Sequence, residues 1–368
     1  MPELGIYIHY PYCRKRCPYC DFAIAVAPEP EIPHAAYRDA VLSELADRAP
    51  DFAGRAVVSI YFGGGTPSLW PVEHLARVIA AVRDTFDAPG SLEVTLEANP
   101  TDCTPAAIAG WLAAGINRLS IGVQSLDAGA LVTLGRDHRF GDGRAAIRAA
   151  MDAGVSRITA DAILGVPGAA PAGEPDPTAV ALADIDPGHI SAYELTIEPR
   201  TEIGRAAARG AFVPVDDDAL AALYAATHDA LAARGYEHYE VSSYARPGHR
   251  AVHNSLYWTG AEYLGLGNGA ASFRRTPGGA VRTTNVRSAR AYLAGERAAE
   301  IAPQTSAEVE TDRLWLGLRT ADGVTGAPEA LADWLEAQGL ATRDGGRIRP
   351  TLRGFLFHDR VARRVVGD

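Results

Sequence analysis

Three cysteines, Cys13, Cys17 and Cys20, sit in a CxxxCxxC spacing inside the stretch Ile6 to Phe22, IYIHYPYCRKRCPYCDF. They follow a short apolar run that reads as a strand, so three thiols share one loop. Such a set implies a metal. A cubane iron–sulfur cluster takes one thiolate per iron, and three cysteines leave one of its irons open to a substrate. A closed zinc site wants four ligands, which His9, His34 or the isolated Cys103 could complete. A disulfide is the third reading, but an odd triplet with no signal peptide ahead of it points to a reducing compartment. Spacing favours the cluster.

Six β-rich runs recur along the chain: Leu4–Tyr10, Val57–Phe62, Leu92–Ala98, Arg118–Gln124, Arg157–Leu164 and His189–Thr196. Segments of helical periodicity separate them, at Tyr37–Arg48, Val72–Phe86, Pro105–Ala114, Arg144–Ala153 and Ala219–Arg234. Strands alternating with helices give parallel strands joined by right-handed crossovers. Six units predict an α/β fold with an incomplete barrel, open on one side. Function in such barrels gathers at the C-terminal ends of the strands. Those ends carry the cysteine loop, the Gly63-Gly64-Gly65-Thr66 turn, and then Glu97, Gln124, Asp161 and Glu194. A buried carboxylate without a partner is costly, so four acids or amides on successive strands predict a ligand or a cation. Glycines in the turn would let a ligand approach the backbone.

Beyond the barrel, Pro167 to Pro177 (PGAAPAGEPDP) reads as a turn-rich loop. The Asp216–Asp218 run reads as the capped start of a helix. Residues 236–300 read as a linker, and 301–368 as a small winged-helix-like α+β domain with a hairpin at Arg343-Asp344-Gly345-Gly346-Arg347.

Motifs in order resemble one family. Tyr7-Ile8-His9-Tyr10-Pro11-Tyr12-Cys13, the cysteine triplet and Asp21-Phe22 are similar to the opening of radical S-adenosylmethionine (SAM) enzymes of the oxygen-independent coproporphyrinogen oxidase type. The resemblance continues in Tyr61–Ser68 (YFGGGTPS), Leu96–Pro100 (LEANP), Asn117–Ser125 (NRLSIGVQS), Leu134–His138 (LGRDH) and His253–Trp258 (HNSLYW). It implies a partial (β/α)6, TIM-like radical SAM barrel over residues 1–235. It also implies a 4Fe-4S cluster on Cys13, Cys17 and Cys20, its fourth iron open to SAM. The cofactor contacts implied are Tyr7, Tyr19, Gly64, Gly65, Thr66, Glu97, Gln124, Arg136 and Asp161.

Within that family, HNxxYW marks the haem-chaperone branch, the HemW type. By resemblance His253 is the first candidate to ligate haem, with Tyr257 and Trp258 as flat apolar surfaces. The oxidases carry a further cysteine two residues after the third, where this chain has Phe22. That argues against porphyrinogen oxidation. The expected function is a haem chaperone that binds haem, the cluster and SAM and passes haem to an apoprotein, plausibly a respiratory one. The alternative is a radical SAM enzyme, of methyltransferase or porphyrinogen oxidase type, that generates a 5′-deoxyadenosyl radical.

The net charge of −10 excludes broad attraction to nucleic-acid phosphates. Charge is uneven, however: residues 341–368 hold seven arginines against three aspartates, which suits an anionic partner or peripheral contact with a membrane, though such a face is more often simply solvated. Arg14, Lys15 and Arg16 beside the cysteines suit an acidic electron donor of flavodoxin or ferredoxin type. No apolar run is long enough to cross a bilayer, so a cytoplasmic protein is expected. A homodimer is compatible with the sequence.

Overall fold

The computed structural model describes residues 1–171 and 173–367. Strand β1 (Glu3–Tyr10) shows how the barrel is made. Leu4, Ile6, Ile8 and Tyr10 alternate along it and are fully buried against the helical layer. Gly5, Tyr7 and His9 fall on the opposite face, toward the barrel interior. Two short strands, β2 (Tyr12–Cys13) and β3 (Ala25–Val26), pair in parallel and clip together the two ends of the cysteine loop.

The predicted units then follow: α1 (His34–Arg48), β4 (Ala56–Gly64), α2 (Val72–Thr85), β5 (Glu93–Ala98), α3 (Pro105–Ala113) and β6 (Arg118–Gln124). Next come α4 (Ala128–Thr133), α5 (Asp142–Asp152), β7 (Arg157–Leu164), α6 (Pro177–Ile185) and β8 (Gly188–Glu194). All six expected strands form and pair in parallel in chain order, β1-β4-β5-β6-β7-β8. The turn-rich loop lies between β7 and α6, with its Ala172 outside the described residues.

After α7 (Glu202–Ala208), Asp216 caps α8 (Asp217–Ala233) by accepting the Ala219 N–H at 2.9 Å, as the acidic run predicted. The residues expected to be a linker are instead built into the sheet. β9 (Glu237–Glu240) and β10 (Ser243–Ala245) form a hairpin beside β8. Helix α9 (Val252–Thr259) leads to β11 (Glu262–Leu266), which pairs in parallel with β1 on its other side. β12 (Ala271–Thr276), β13 (Gly279–Asn285), α10 (Ala289–Leu293) and β14 (Ala298–Thr305) extend that side antiparallel. The result is one sheet of twelve strands, β14-β13-β12-β11-β1-β4-β5-β6-β7-β8-β10-β9. The period-2 apolar runs of β11 to β13 are short, so the sequence read them as connections.

The C-terminal unit comprises α11 (Ser306–Gly317), β15 (Val324–Thr325), α12 (Glu329–Ala337), β16 (Ala341–Asp344), β17 (Arg347–Pro350), α13 (Leu352–Leu356) and α14 (His358–Val366). Its three strands run β15-β17-β16 over a separate core that includes Leu314, Leu335 and Ile348. Gly345 and Gly346 make the hairpin turn with φ of 55° and 80°, which a two-residue loop of this twist requires.

Candidate functional site

The barrel's inward face is polar almost throughout. In its lower part Glu93 lies 3.6 Å from Arg118 and 3.1 Å from Arg157, and one of its oxygens accepts the His253 N–H at 3.0 Å. Above them, Ser120 donates to Asp161 at 2.9 Å and Tyr61 donates to Glu97 at 2.8 Å. These partners occupy alternate positions of strands whose other face is apolar. The same period of two could have located Arg118, Ser120 and Tyr61, which the motif reading passed over.

At the C-terminal ends of the strands this face opens into a cavity of about 810 Å³. Cys13, Cys17 and Cys20 line it together with Tyr7, Tyr19, Gly64, Gly65, Thr66, Glu97, Gln124, Arg136 and Asp161. Glu194 stands at its rim. His253 is not among the lining residues.

Close packing brings the cysteine loop down onto the barrel. A Cβ on Gly65 would meet the backbone of Pro11 at 2.6 Å, and one on Gly135 would meet Pro18 at 2.5 Å. The N–H groups of the glycine turn are already engaged: Gly64 donates to Glu97 at 3.0 Å, Gly65 to the Tyr10 carbonyl at 2.7 Å and Thr66 to the Tyr12 carbonyl at 3.0 Å. A ligand approaching the turn therefore does not find these N–H groups free. They seat the cysteine loop and place Glu97.

All four cysteines are unpaired. The Thr66 hydroxyl points at Cys13 Sγ (3.4 Å), and Arg136 Nη1 lies 3.7 Å from Cys17 Sγ. Burial pushes Cys13 up to about 11 and Cys20 upward, so binding of a metal through these sulfurs releases protons. The fourth ligands a zinc site would borrow are committed elsewhere. His9 uses both nitrogens, on Tyr7 and the Ala23 carbonyl; His34 stacks on Tyr10 and bonds its hydroxyl; and Cys103 points to the Asn99 carbonyl. A loop of three sulfurs facing a roomy polar cavity, with His9, His34 and Cys103 engaged elsewhere, fits a cluster with one open iron.

Burial raises Glu97 to about 7, with the Asp161 charge adding to it, and burial raises Asp161 to about 6. Arg136 holds the far wall, donating to Asn99 Oδ1 at 2.6 Å and to the Gly122 carbonyl at 3.2 Å. Gln124 ends β6 in the left-handed region, at φ 62°. Two carboxylates, a guanidinium and an amide around one space suit a zwitterionic ligand with polar hydroxyls.

A sequence profile of the Radical SAM superfamily matches residues 7–171. A protein of Mycobacterium tuberculosis H37Rv named "Heme chaperone HemW" is 35% identical, the alignment covering 99% of this chain and 95% of that protein. Its namesake in Escherichia coli K12 is 36% identical over 80% of this chain and 77% of its own length. The chain belongs to the HemW family of radical SAM proteins. The solved structure of E. coli coproporphyrinogen III oxidase, described as a radical SAM enzyme, superposes with a TM-score of 0.81 at 21% identity, covering 99% of this chain and 90% of that one. That likeness establishes the partial-barrel fold. Membership of the radical SAM superfamily implies a 4Fe-4S cluster and SAM.

One residue of the HNxxYW motif sits differently from expectation. His253 is 1% exposed, its Nδ1 bonded to Ser59 Oγ and its Nε2 to Tyr257 Oη, each at 2.8 Å. Nδ1 ties α9 to β4 and Nε2 is taken by Tyr257 of the same helix, so neither nitrogen is free in this arrangement. Phe22 is 64% exposed at the cavity mouth.

The cationic trio beside the cysteines is also partly spent. Arg14 pairs with Glu29 and Asp102, and Arg16 donates to the carbonyls of Cys20 and Ile24. The arginine-rich tail, whose Asp368 lies outside the described residues, is likewise engaged in part. Arg343 meets Glu329, Asp333 and Glu336, and Arg360 and Arg364 lie over Trp334.

Proposed function

We propose that this protein is a haem chaperone. It holds a 4Fe-4S cluster through Cys13, Cys17 and Cys20, binds SAM in the adjoining cavity, takes up haem, and passes it to a haem-requiring apoprotein in the cytoplasm or at the inner face of a membrane. The observation that carries this reading is 35% identity along 99% of the chain to a protein named for that role. The free cysteines suit a reducing compartment. Among the described residues no helix is long and apolar enough to cross a membrane.

When bound, the reduced cluster supplies an electron for cleaving a carbon–sulfur bond of SAM. The chain's own residues bind and orient. Arg136 sets positive charge beside Cys17 and the cavity, Glu97 and Asp161 accept from the ligand's amine and hydroxyl groups, and Gln124 closes the far side. Lys15, the remaining cation of its trio, marks the side on which an acidic flavodoxin- or ferredoxin-type donor docks.

The test is anaerobic. The cluster is reconstituted, ferric haem is titrated in, and the loaded protein is mixed with an apo-cytochrome. One haem per chain and its appearance in the cytochrome are expected. Absence of haem uptake, with the cluster and SAM binding intact, overturns the reading. Release of 5′-deoxyadenosine from reduced, haem-free protein would favour the enzymatic alternative.

A further inference from the structure

The chain leaves Cys20 through Asp21, Phe22 and Ala23, and this limb of the cysteine loop is gripped by residues 245 to 266 positions further along. Asn268, in the turn after β11, is fully buried. Its Nδ2 donates to the Ala23 carbonyl at 3.0 Å and to the Arg287 carbonyl at 2.9 Å. Arg287, between β13 and α10, in turn donates from Nη2 to the Asp21 carbonyl at 2.6 Å. The carbonyls on either side of Phe22 are therefore both held by this pair. Two carbonyls facing one side chain demand two N–H groups from it, so neither aspartate nor leucine, of similar size, can stand in for Asn268.

The pair is itself anchored. The Asn268 N–H bonds the Tyr37 hydroxyl of α1 at 3.2 Å, and that hydroxyl lies 2.8 Å from Asn268 Oδ1 and 2.7 Å from the His9 carbonyl near the end of β1. Glu44, buried on the same helix, accepts the Gly267 N–H at 2.9 Å and the Tyr292 hydroxyl at 2.6 Å. Glycines on both sides of Asn268 allow the close approach: a Cβ on Gly267 would strike the His9 carbonyl, and one on Gly269 the Ala23 methyl.

A second route leads into the cavity. The Ala23 carbonyl also accepts from His9 Nε2 at 3.0 Å. Burial lowers His9 to about 4, so the ring is neutral, its Nδ1 carries no proton, and it takes the Tyr7 hydroxyl at 3.1 Å. Tyr7 lines the cavity. Asn268 thus acts on the limb behind Cys20 and, through Ala23 and His9, on a wall of the site.

We propose that Asn268 and Arg287 are positioning residues for the cluster: they set where Cys20 presents its sulfur to the cavity. Both belong to the segments added beside β1, so the accessory part of the sheet takes part in the site. The inference rests on the reading that Cys13, Cys17 and Cys20 carry the cluster. Removing outer partners of metal ligands changes metal affinity about 10–100-fold, which sets the scale of the effect.

The test compares full-length Asn268→Ala and Arg287→Met with wild type. Arg287 is exposed, so its variant serves if Asn268→Ala fails to fold. In cluster-free protein, amide hydrogen exchange over residues 18–24 should be at least about tenfold faster in each variant. After anaerobic reconstitution, each should lose iron to a chelator at least about tenfold faster, and the EPR g values of the reduced cluster should shift. Ile348→Ala, which weakens the separate C-terminal core, should match wild type in all three measurements. Wild-type iron loss and g values in Arg287→Met, or iron loss from Ile348→Ala as fast as from the other two variants, overturn the assignment while the cluster stands. A wild type that binds no iron overturns both.

Discussion

The phenol of Tyr61 donates to Glu97 across 2.8 Å, on the floor of the cavity. Burial still outweighs this bond, and Glu97 titrates near 7 in the folded chain against an ordinary value of 4.5. The sign follows from linkage. Between those values the folded protein holds a proton that the unfolded chain releases, so ionised Glu97 costs stability above about pH 7, and the cost fades as pH falls toward 4.5. Glu97→Gln should therefore melt higher than wild type at pH 8, with the gap closing by pH 5. The buried histidines pull the opposite way, but they are shared by both proteins and cancel in the difference. Paired calorimetric scans of ligand-free protein measure it.

Glu93→Ala removes the carboxylate that pairs with Arg118 and that accepts from Arg157 and the His253 N–H. Leaving Arg118 buried without its partner should cost roughly 3–5 kcal/mol. Urea unfolding of the cluster-free protein reads this as a lower midpoint at unchanged slope. A loss below 1 kcal/mol would mean that water reaches the site.

Gly65→Ala and Gly135→Ala should lower the iron and sulfide bound per chain after reconstitution. Each added methyl strikes the cysteine loop, at Pro11 and at Pro18, and Gly135 also has φ 61°. Gly110→Ala is the control. It lies inside α3 and its methyl would meet only Val72 at 3.7 Å, so it should bind iron normally and gain about 0.5–1 kcal/mol of stability.

Gln124 holds a left-handed backbone that costs a non-glycine residue about 1–2 kcal/mol. Gln124→Gly should raise the melting temperature while weakening SAM binding, measured by calorimetric titration. Loss of both would show that the amide supports the fold rather than the ligand.

Much of this architecture is written locally. The barrel strands alternate apolar residues on one face with polar ones on the other, and two of them, Arg118–Gln124 and Arg157–Leu164, begin and end where the sequence reading placed them. The cavity-lining residues also fall at strand ends or in the cysteine loop, where motif and topology coincide. What stayed hidden depends on contacts between distant segments. Nothing local tells that Ser59 and Tyr257 occupy the two nitrogens of His253, or that Asp102 and Glu29 hold Arg14. Residues 236–300 were misread for a related reason. β11 is short, and its place beside β1 is set by α9 packing on Gly5, where a Cβ would strike Leu256 at 2.9 Å.

The twelve-stranded sheet ends at β14, most of which is exposed. Pro303 brings no amide hydrogen to that border, and Glu300 sets a charge beside Ile301, which is 65% exposed. Proline and charge on an outermost strand discourage a neighbouring chain from continuing the ladder. Self-association by strand addition is thus disfavoured on this side of the sheet, and any homodimer would have to form through another surface.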